Sequence, residues 1–418
     1  MNEQIKQRIN QLNNGEVPSG YEKTDFGIFP CDWVTDKKLK DLGSFGKGKG
    51  LPGDKMTTEG VPCIGYGDIY MKYNHFHFEE AKTFVDEETA SESQPIHKGT
   101  LLFTGTGETA DEIGKCVCYN GDETIYAGGD IIMFVSKEVN PLFLAYQQYQ
   151  EFSLRKKASY GQGHSVVHIQ RENLEKLNVA YPKSTEEQSK IAEILMKWDE
   201  AVALYDGLIK AIETKRNHFI KQITIKSSNW KTYSLMDILE EFVEYTTVNN
   251  QHEVLSSTKQ GLLAQSEYFD KQVASENNVG YKVIRRGNLV LSPQNLWLGN
   301  INYNDNFEVG IVSPSYKIFR IKDGFDKTLV STIMKLPIML HKYVLSSEQG
   351  ASVVRRNLNM DLFYQITVSL PDLKTQQKLG NVIATINNQI LLYQAELDTI
   401  KKQRKALQQY LLNGIVRV

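Results

Sequence analysis

The sequence predicts an α+β protein in which two pseudo-symmetric globular domains are separated by two long antiparallel helices forming a coiled-coil-like rod. Three observations carry this prediction. The hexapeptide QGHSVV (162–167) returns as QGASVV (349–354), with five of six positions identical across 187 residues (350 − 163). A long apolar stripe at helical spacing also occurs twice, and each stripe is introduced by a proline and a glutamine-bearing segment.

The first stripe is Ile191, Leu195, Trp198, Val202, Tyr205, Ile209, Ile212, Phe219 and Ile223, the face of one long amphipathic helix. The second is Leu379, Ile383, Ile386, Ile390, Tyr393, Leu397, Ile400, Leu407 and Leu411. An offset of 188 lays Tyr205 on Tyr393, Ile212 on Ile400 and Arg216 on Arg404. NVAYPKSTEEQSKIAEIL precedes the first helix and TVSLPDLKTQQKLGNVI the second. Pro182 and Pro371 end strands, Thr185 and Thr375 are expected to cap, and Gln188 and Gln376 fall near the first turn.

Upstream of each helix the correspondence continues. IHKGTLLF (96–103) matches IRRGNLVL (284–291), each a charged glycine turn leading into an apolar strand. Trp33 opens one half and Trp230 the other. The expected order is an N-terminal helical extension (1–28), a first domain (29–181), a central long helix (182–226), a second domain (227–370) and a C-terminal long helix (371–418). LLNGIV (411–416) also resembles LNNGEV (12–17), consistent with a pseudo-two-fold object.

Composition limits the function classes. At 418 residues, two to four domains are expected. Hydrophobic content of 41% with 23% charged residues is that of a soluble globular protein, and no run of ~18 apolar residues suggests a membrane span. The polar start MNEQIKQRINQL lacks the apolar core of a secretory signal, so a cytoplasmic location is expected. Four cysteines lie in the first third with no second pair or histidine cluster at ligand spacing, so no metal site is expected and reduced, partly buried thiols are. A net charge of −2 argues against indiscriminate coating of nucleic acid, yet leaves room for a sequence reader with local basic patches.

No N-P-P-[FY] or D-P-P-[FY], no G-x-x-x-x-G-K-[ST] and no H-E-x-x-H is present, so no catalytic residues are assigned. The domains are less alike than the helices. GSFGKGKGLPGDK and GVPCIGYGDIYMKYNHFHF have no clear counterpart after Trp230. Similar scaffolds with different surfaces suit the reading of two different half-sites. The first helix, about 39 residues (185–223), would extend roughly 58 Å at ~1.5 Å per residue, or about 17 base pairs of duplex.

This arrangement resembles the specificity subunits of type I restriction-modification systems over essentially the whole chain. The residues carrying the resemblance are PSGYEKTDFGIFPCDW (18–33), GTLLFTGTGET, YAGGDIIMF, the QGHSVV/QGASVV pair and the proline–glutamine segments that open the two long helices. The resemblance implies two target recognition domains, each reading one part of a split, asymmetric DNA sequence, with the helices as a ruler. It further implies two modification subunits that methylate adenine N6 and two restriction subunits that translocate and cleave. S-adenosylmethionine, and ATP with Mg2+, would then be cofactors of those partners and not of this chain. The alternatives are a specificity module of a related methyltransferase-nuclease system and a non-DNA helical scaffold.

Candidate DNA contacts each have a bland counterpart. Lys47 and Lys49 in GKGKG suit a phosphate backbone, or form a solvated turn. Tyr66, Lys72 and Tyr73 suit groove or phosphate contacts, or belong to a half-buried strand. Thr106 lies in TGTGET, a tight turn at a strand end. Its positional partner SPQNLW offers Gln294 and Asn295, whose amides pair with adenine edges, beside Trp297. Around the repeated hexapeptide, Lys156, Tyr160, Gln162, His164, Ser165 and His168 in one half, and Gln349, Ser352, Arg355 and Arg356 in the other, suit a sequence-neutral phosphate anchor. The bland reading is a shared core strand, with Val166, Val167, Val353 and Val354 facing inward. Lys210, Lys215, Arg216, Lys401, Lys402 and Arg404 are expected on solvated helix faces, or against modification subunits.

Overall fold

The computed structural model describes residues 3–73, 76–163, 165–223, 230–259, 261–268, 277–349 and 356–418. The chain divides into two compact units: Met1–Asp206 with Ala395–Val418, and Gly207–Gln394.

In the first unit a five-stranded sheet runs in the order Gly43–Lys47, Ile131–Ser136, Thr100–Thr104, Cys116–Tyr119, His77–Phe78. All neighbours are antiparallel except the last pair. The central strand, from the LLF of the predicted apolar run, is buried at every position. Its alternation divides it between two cores: Leu101 and Phe103 pack with the helices, whereas Leu102 packs with Ile64, Val117 and Ile125. A second, four-stranded sheet contains Thr83–Val85, Val61–Ile64, Ile125–Ala127 and Gln94–Ile96.

The second unit uses the same plan with one strand fewer. Its main sheet runs Leu239–Glu241, Lys317–Ile321, Asn288–Leu291, Ile301–Tyr303, antiparallel throughout. Leu289 and Leu291 face one core and Val290 the other, matching Leu101, Phe103 and Leu102. The repeat read from the sequence is therefore a repeat of strand order and of side-chain direction.

Each globule closes by pairing its first strand with its last. Trp33–Val34 pairs with Tyr181–Pro182, and Lys231–Ser234 pairs with Thr367–Leu370. The chain then enters a helix of 39 residues, Thr185–Ile223, or of 40 residues, Leu373–Leu412. The caps are one position earlier, or three, than the sequence suggested. Ser184 Oγ accepts the Glu187 N–H, and Asp372 Oδ1 accepts the Thr375 N–H. Thr185 and Thr375 lie inside the first turn, where their backbone is already helical; a cap needs the residue just before it.

Gln188 and Gln376 account for the glutamine at the start of both long helices. Gln188 donates from Nε2 to the Pro182 carbonyl at 2.8 Å and accepts the Asn140 N–H at Oε1, also at 2.8 Å. Gln376 donates to the Pro371 carbonyl at 2.9 Å and accepts the Asp326 N–H at 3.0 Å. Both glutamines are buried. Each staples the end of the last strand to the N-cap of a helix in its globule (Pro141–Gln147 or Lys327–Ile333), whose Asn140 or Asp326 side chain accepts the N–H of Phe143 or Leu329.

Each unit contains part of both long helices. In the first unit Arg404 Nε bonds Asp199 Oδ1 at 2.6 Å and Lys401 approaches Asp206 at 3.5 Å, so the segments run antiparallel. Tyr146 donates to Asp199 at 2.7 Å, and the Arg404 guanidinium lies 4.4 Å from the Phe76 ring centre. In the second unit Arg216 donates to Asn387 at 3.1 Å. The offset of 188 carries Asp199 to Asn387 and Arg216 to Arg404, so one contact is made twice, once with a carboxylate and once with an amide. Arg216 and Arg404 are accordingly half-buried and interhelical. They do not lie on the solvated face predicted for them, because a guanidinium can bury its stem while its planar head finds a fixed acceptor.

The N-terminal helix Glu3–Asn13 and the Leu373–Leu412 helix end alike. Glu16 N–H bonds the Gln11 carbonyl at 2.9 Å and Ile415 N–H that of Tyr410 at 2.8 Å, with Gly15 and Gly414 at φ of +76° and +66°. This left-handed cap is the physical content of the LNNGEV and LLNGIV match. Cys31 is exposed, whereas Cys63, Cys116 and Cys118 are buried, and all four are free thiols. Among the described residues no helix is long and apolar enough to cross a membrane.

Candidate nucleic-acid interface

In the first unit the segment QGHSVV is bridged at its ends. Gln162 and His168 exchange both backbone bonds, at 3.0 and 2.8 Å. Gly163 sits at φ +121°, where a Cβ would lie 1.9 Å from the Val166 carbonyl oxygen, so the position requires glycine. Val167–His168 pairs antiparallel with Thr106–Gly107. Thr106 Oγ1 lies 3.1 Å from His168 Nδ1, and Ile169 N–H bonds the Gly105 carbonyl at 3.0 Å. Thr106, Gln162, Ser165 and His168, distant in sequence, thus share one edge, and the last three are exposed. Helix Glu151–Tyr160 leads into this edge, with the Lys156 ammonium 5.1 Å from the Tyr160 ring centre. Val167 is buried as expected, whereas Val166, in the bend before the strand, is 47% exposed. His164 lies outside the described residues.

Two residues the sequence did not single out hold this edge from beneath. Tyr149 Oη donates to the Cys116 carbonyl at 2.6 Å and accepts the Cys116 N–H at 3.2 Å. Lys157, 1% exposed, donates to the Gly114 carbonyl at 2.9 Å beside the Tyr149 ring. Desolvation lowers its pKa to about 8, with Cys116 acting in the opposite sense. The available signal was the i, i+4 pair Ser153 and Lys157, the two buried positions of that helix, but a lysine there reads as solvent-facing.

GKGKG departs from the phosphate-cradle reading. It continues the edge strand Gly43–Lys47, and its Gly48 and Lys49 amides already donate to the Ile131 and Ala127 carbonyls. Those two amides are not available to an anion, while the Lys47 and Lys49 side chains remain exposed. IGYGDIYMKYNHF is also not an alternating strand: Tyr66–Met71 is a short helix whose Asp68 accepts the Gly65 N–H. Tyr66 is 41% exposed. Lys72 is tied to Asp68 at 2.8 Å and Thr83 at 2.6 Å. Tyr73 is a correction to the DNA-contact expectation. It is 3% exposed, accepts the Lys82 N–H and packs 4.2 Å from Phe78, which makes it a core residue.

In the second unit the same place is occupied by different chemistry. The strand Asn288–Leu291 ends in the loop Ser292–Asn300, closed by Ser292 N–H to the Asn300 carbonyl at 3.1 Å. Arg356 N–H bonds the Gln294 carbonyl at 3.3 Å, and its guanidinium stands 5.1 Å from the Trp297 ring centre. Gln294 is exposed; Asn295 and Trp297 are half-buried. The Gln349 backbone pairs with Arg356, whereas Ser352, Arg355, Val353 and Val354 lie outside the described residues. The contact of Arg356 with Gln294 corresponds to that of His168 with Thr106. In both units, the segment after the repeated hexapeptide clamps the loop that follows the central strand.

One scaffold, built twice and bearing different polar loops at equivalent clamps, is the construction of a two-domain recognition protein. Residues 30–214 match the family model described as type I restriction modification DNA specificity domain. The fold of the chain is similar to that of a crystallised type I restriction-modification S subunit from M. genitalium: TM-score 0.56, 14% identity, covering 91% of this chain and 96% of that one. It is also similar to a chain from a type I R-M system solved for its complex assembly and conformational transition: TM-score 0.51, 12% identity, covering 96% and 100%. The family match covers 185 residues (214 − 30 + 1) of 418, and over the rest of the chain the similarity to these S-subunit structures is one of fold.

Proposed function

We propose that this chain reads a bipartite, asymmetric DNA target, one part with each domain, and directs adenine-N6 methylation or restriction by partner subunits while performing no chemistry itself. The observation that carries the reading is the duplicated clamp with unlike contents: Gly105–Thr106 with His168 in one unit, Gln294–Trp297 with Arg356 in the other. Phosphate contacts from Lys47, Lys49, Lys156 and Arg356 would position the duplex, and amides such as those of Gln294 and Asn295 would select adenine edges.

Two modification subunits would dock on the long helices. Support comes from Leu204, Leu391 and Leu392, which are 73%, 62% and 66% exposed on those helices. Leu204 and Leu392 stand at the repeat offset. S-adenosylmethionine would serve the modification subunits, and ATP with Mg2+ two restriction subunits. The target adenine would be flipped from the duplex into the modification subunit.

Methylome sequencing of a host with and without this gene, its modification partner expressed and active in both, tests the reading. A gene-dependent N6-methyladenine motif in two parts, with a fixed unspecified gap, is expected. Absence of any such motif would refute it.

A further inference from the structure

Beside the Ser292–Asn300 loop the second unit carries a hairpin, Leu255–Ser257 and Leu262–Ala264, whose sequence has no clear counterpart in the first half of the chain. Its turn is closed by Thr258 N–H to the Gly261 carbonyl at 2.8 Å, and Gly261 has φ +149° with no atom near its missing Cβ. Lys259 stands exposed in the turn.

Beneath the turn lies a polar network, beside the apolar contacts that Leu255, Leu262 and Ala264 make with Ile284, Val290 and Ile318. Ser257 Oγ donates to Asn300 Oδ1 at 2.5 Å, and Asn300 Nδ2 donates to the Ser257 carbonyl at 2.8 Å. Asn302 Nδ2 donates both to Ser257 Oγ and to the Thr258 carbonyl, each at 2.8 Å. Its other end, Oδ1, accepts from Lys335 Nζ at 2.5 Å. Ser257, Asn300 and Asn302 are all buried. Lys335 turns its amine inward to this network, and desolvation lowers its pKa.

Apolar side chains would hold a hairpin to a sheet at least as strongly, because burying amides costs free energy that their hydrogen bonds only offset. What such a network adds is orientation: the hydroxyl and carbonyl of Ser257 fix the two ends of the Asn300 amide, and the hairpin and Lys335 fix those of Asn302. It joins the hairpin turn to the same Asn300 whose carbonyl closes the loop carrying Gln294, Asn295 and Trp297. A cationic turn and an amide-bearing loop are thereby held in one fixed relation, the requirement for reading base edges to within hydrogen-bond distance.

We propose that Lys259, carried on the hairpin of Leu255–Ser257 and Leu262–Ala264, is a DNA-reading residue of the second domain, and that Asn300, Asn302 and Lys335 are its positioning residues. The inference rests on the DNA-specificity reading above and adds to it an element that the repeat does not disclose.

The test uses the full chain with its modification partner in a host cell, reading the methylated motif, together with the affinity of the purified complex for duplexes carrying that motif. Lys259→Glu, at an exposed site, is expected to lower affinity at least about fivefold, the loss of one phosphate or base contact. Asn302→Val is expected to relax base preference in one half of the motif, leaving the other half and the gap unchanged, with Lys335→Met doing the same more weakly. The intact half-motif shows that the variants are folded and assembled. Unchanged affinity and motif for Lys259→Glu, or equal loss in both halves for Asn302→Val, overturns the inference. No bipartite motif from the wild-type chain would instead overturn the reading on which it rests.

Discussion

Replacing Gln188 with leucine removes two hydrogen bonds at once and keeps roughly the same volume. The Pro182 carbonyl loses the Nε2 donor at 2.8 Å, and the Asn140 N–H loses the Oε1 acceptor at 2.8 Å. Gln188 is 1% exposed, so water cannot take its place without opening the site. Each orphaned buried group costs about 1–3 kcal/mol, and leucine recovers a little by burial, so a net loss of about 2–5 kcal/mol is expected. Those energies correspond to roughly a 30- to 4,000-fold rise in local opening. Native-state hydrogen exchange reads it directly: amides of Phe143, Leu144 and the first turns of Thr185–Ile223 should exchange faster by that factor, while those of the second unit stay unchanged. Gln376→Leu should produce the mirror result around Leu329, Val330 and the start of Leu373–Leu412. A change of less than about threefold, or one spread evenly over both units, would refute the staple.

Asp199→Ala leaves the Arg404 guanidinium and the Tyr146 hydroxyl without their shared acceptor, and a loss of about 3–5 kcal/mol is expected in denaturant unfolding of the first unit. Asp199→Asn gives that site the chemistry of Asn387 and should cost less than half as much; equal losses would argue against the charge pair. Lys157 ionises at about 8 when folded against an ordinary 10.5, so between those values the unfolded chain binds more protons and the lysine's contribution to stability rises with pH. The contribution is about 3 kcal/mol across the window. Cys63 and Cys116, pushed up to about 12 by burial, act in the opposite direction above pH 9. The difference between wild type and Lys157→Met therefore isolates the effect: a stability gap independent of pH from 8 to 10.5 would sink it.

The helices and the repeat were legible because they rest on periodicity and identity, properties a sequence carries openly. The Thr185–Ile223 span follows from the apolar stripe, and its strict internal repeat follows from the need to bury the same face twice. Side-chain placement was less legible. Tyr66 and Tyr73 lie in one short stretch rich in glycine and tyrosine, yet Tyr73 joins the core and Tyr66 the surface, because one opens a six-residue helix and the other follows it. GKGKG has the composition of an anion nest, but its Gly48 and Lys49 amides are consumed by the Ile131 and Ala127 carbonyls. Lys157 and Lys335 were invisible because nothing local marks a lysine whose amine turns inward to a carbonyl or an amide. The convergence of Thr106 with His168, and of Gln294 with Arg356, joins residues 62 apart in both cases (168 − 106 and 356 − 294). That equality was present in the sequence and needed only the pairing of strands to acquire meaning.

The unequal helix contacts bear on how a duplicated chain drifts. Two separate half-length copies would meet only as often as their concentration allowed, and each would need the full strength of an Arg–Asp pair to stay together. A covalent link replaces that concentration by an effective one in the millimolar range when the linker is short. Under that condition a weaker pair suffices, and the neutral acceptor Asn387 opposite Arg216 makes the weaker of the two contacts.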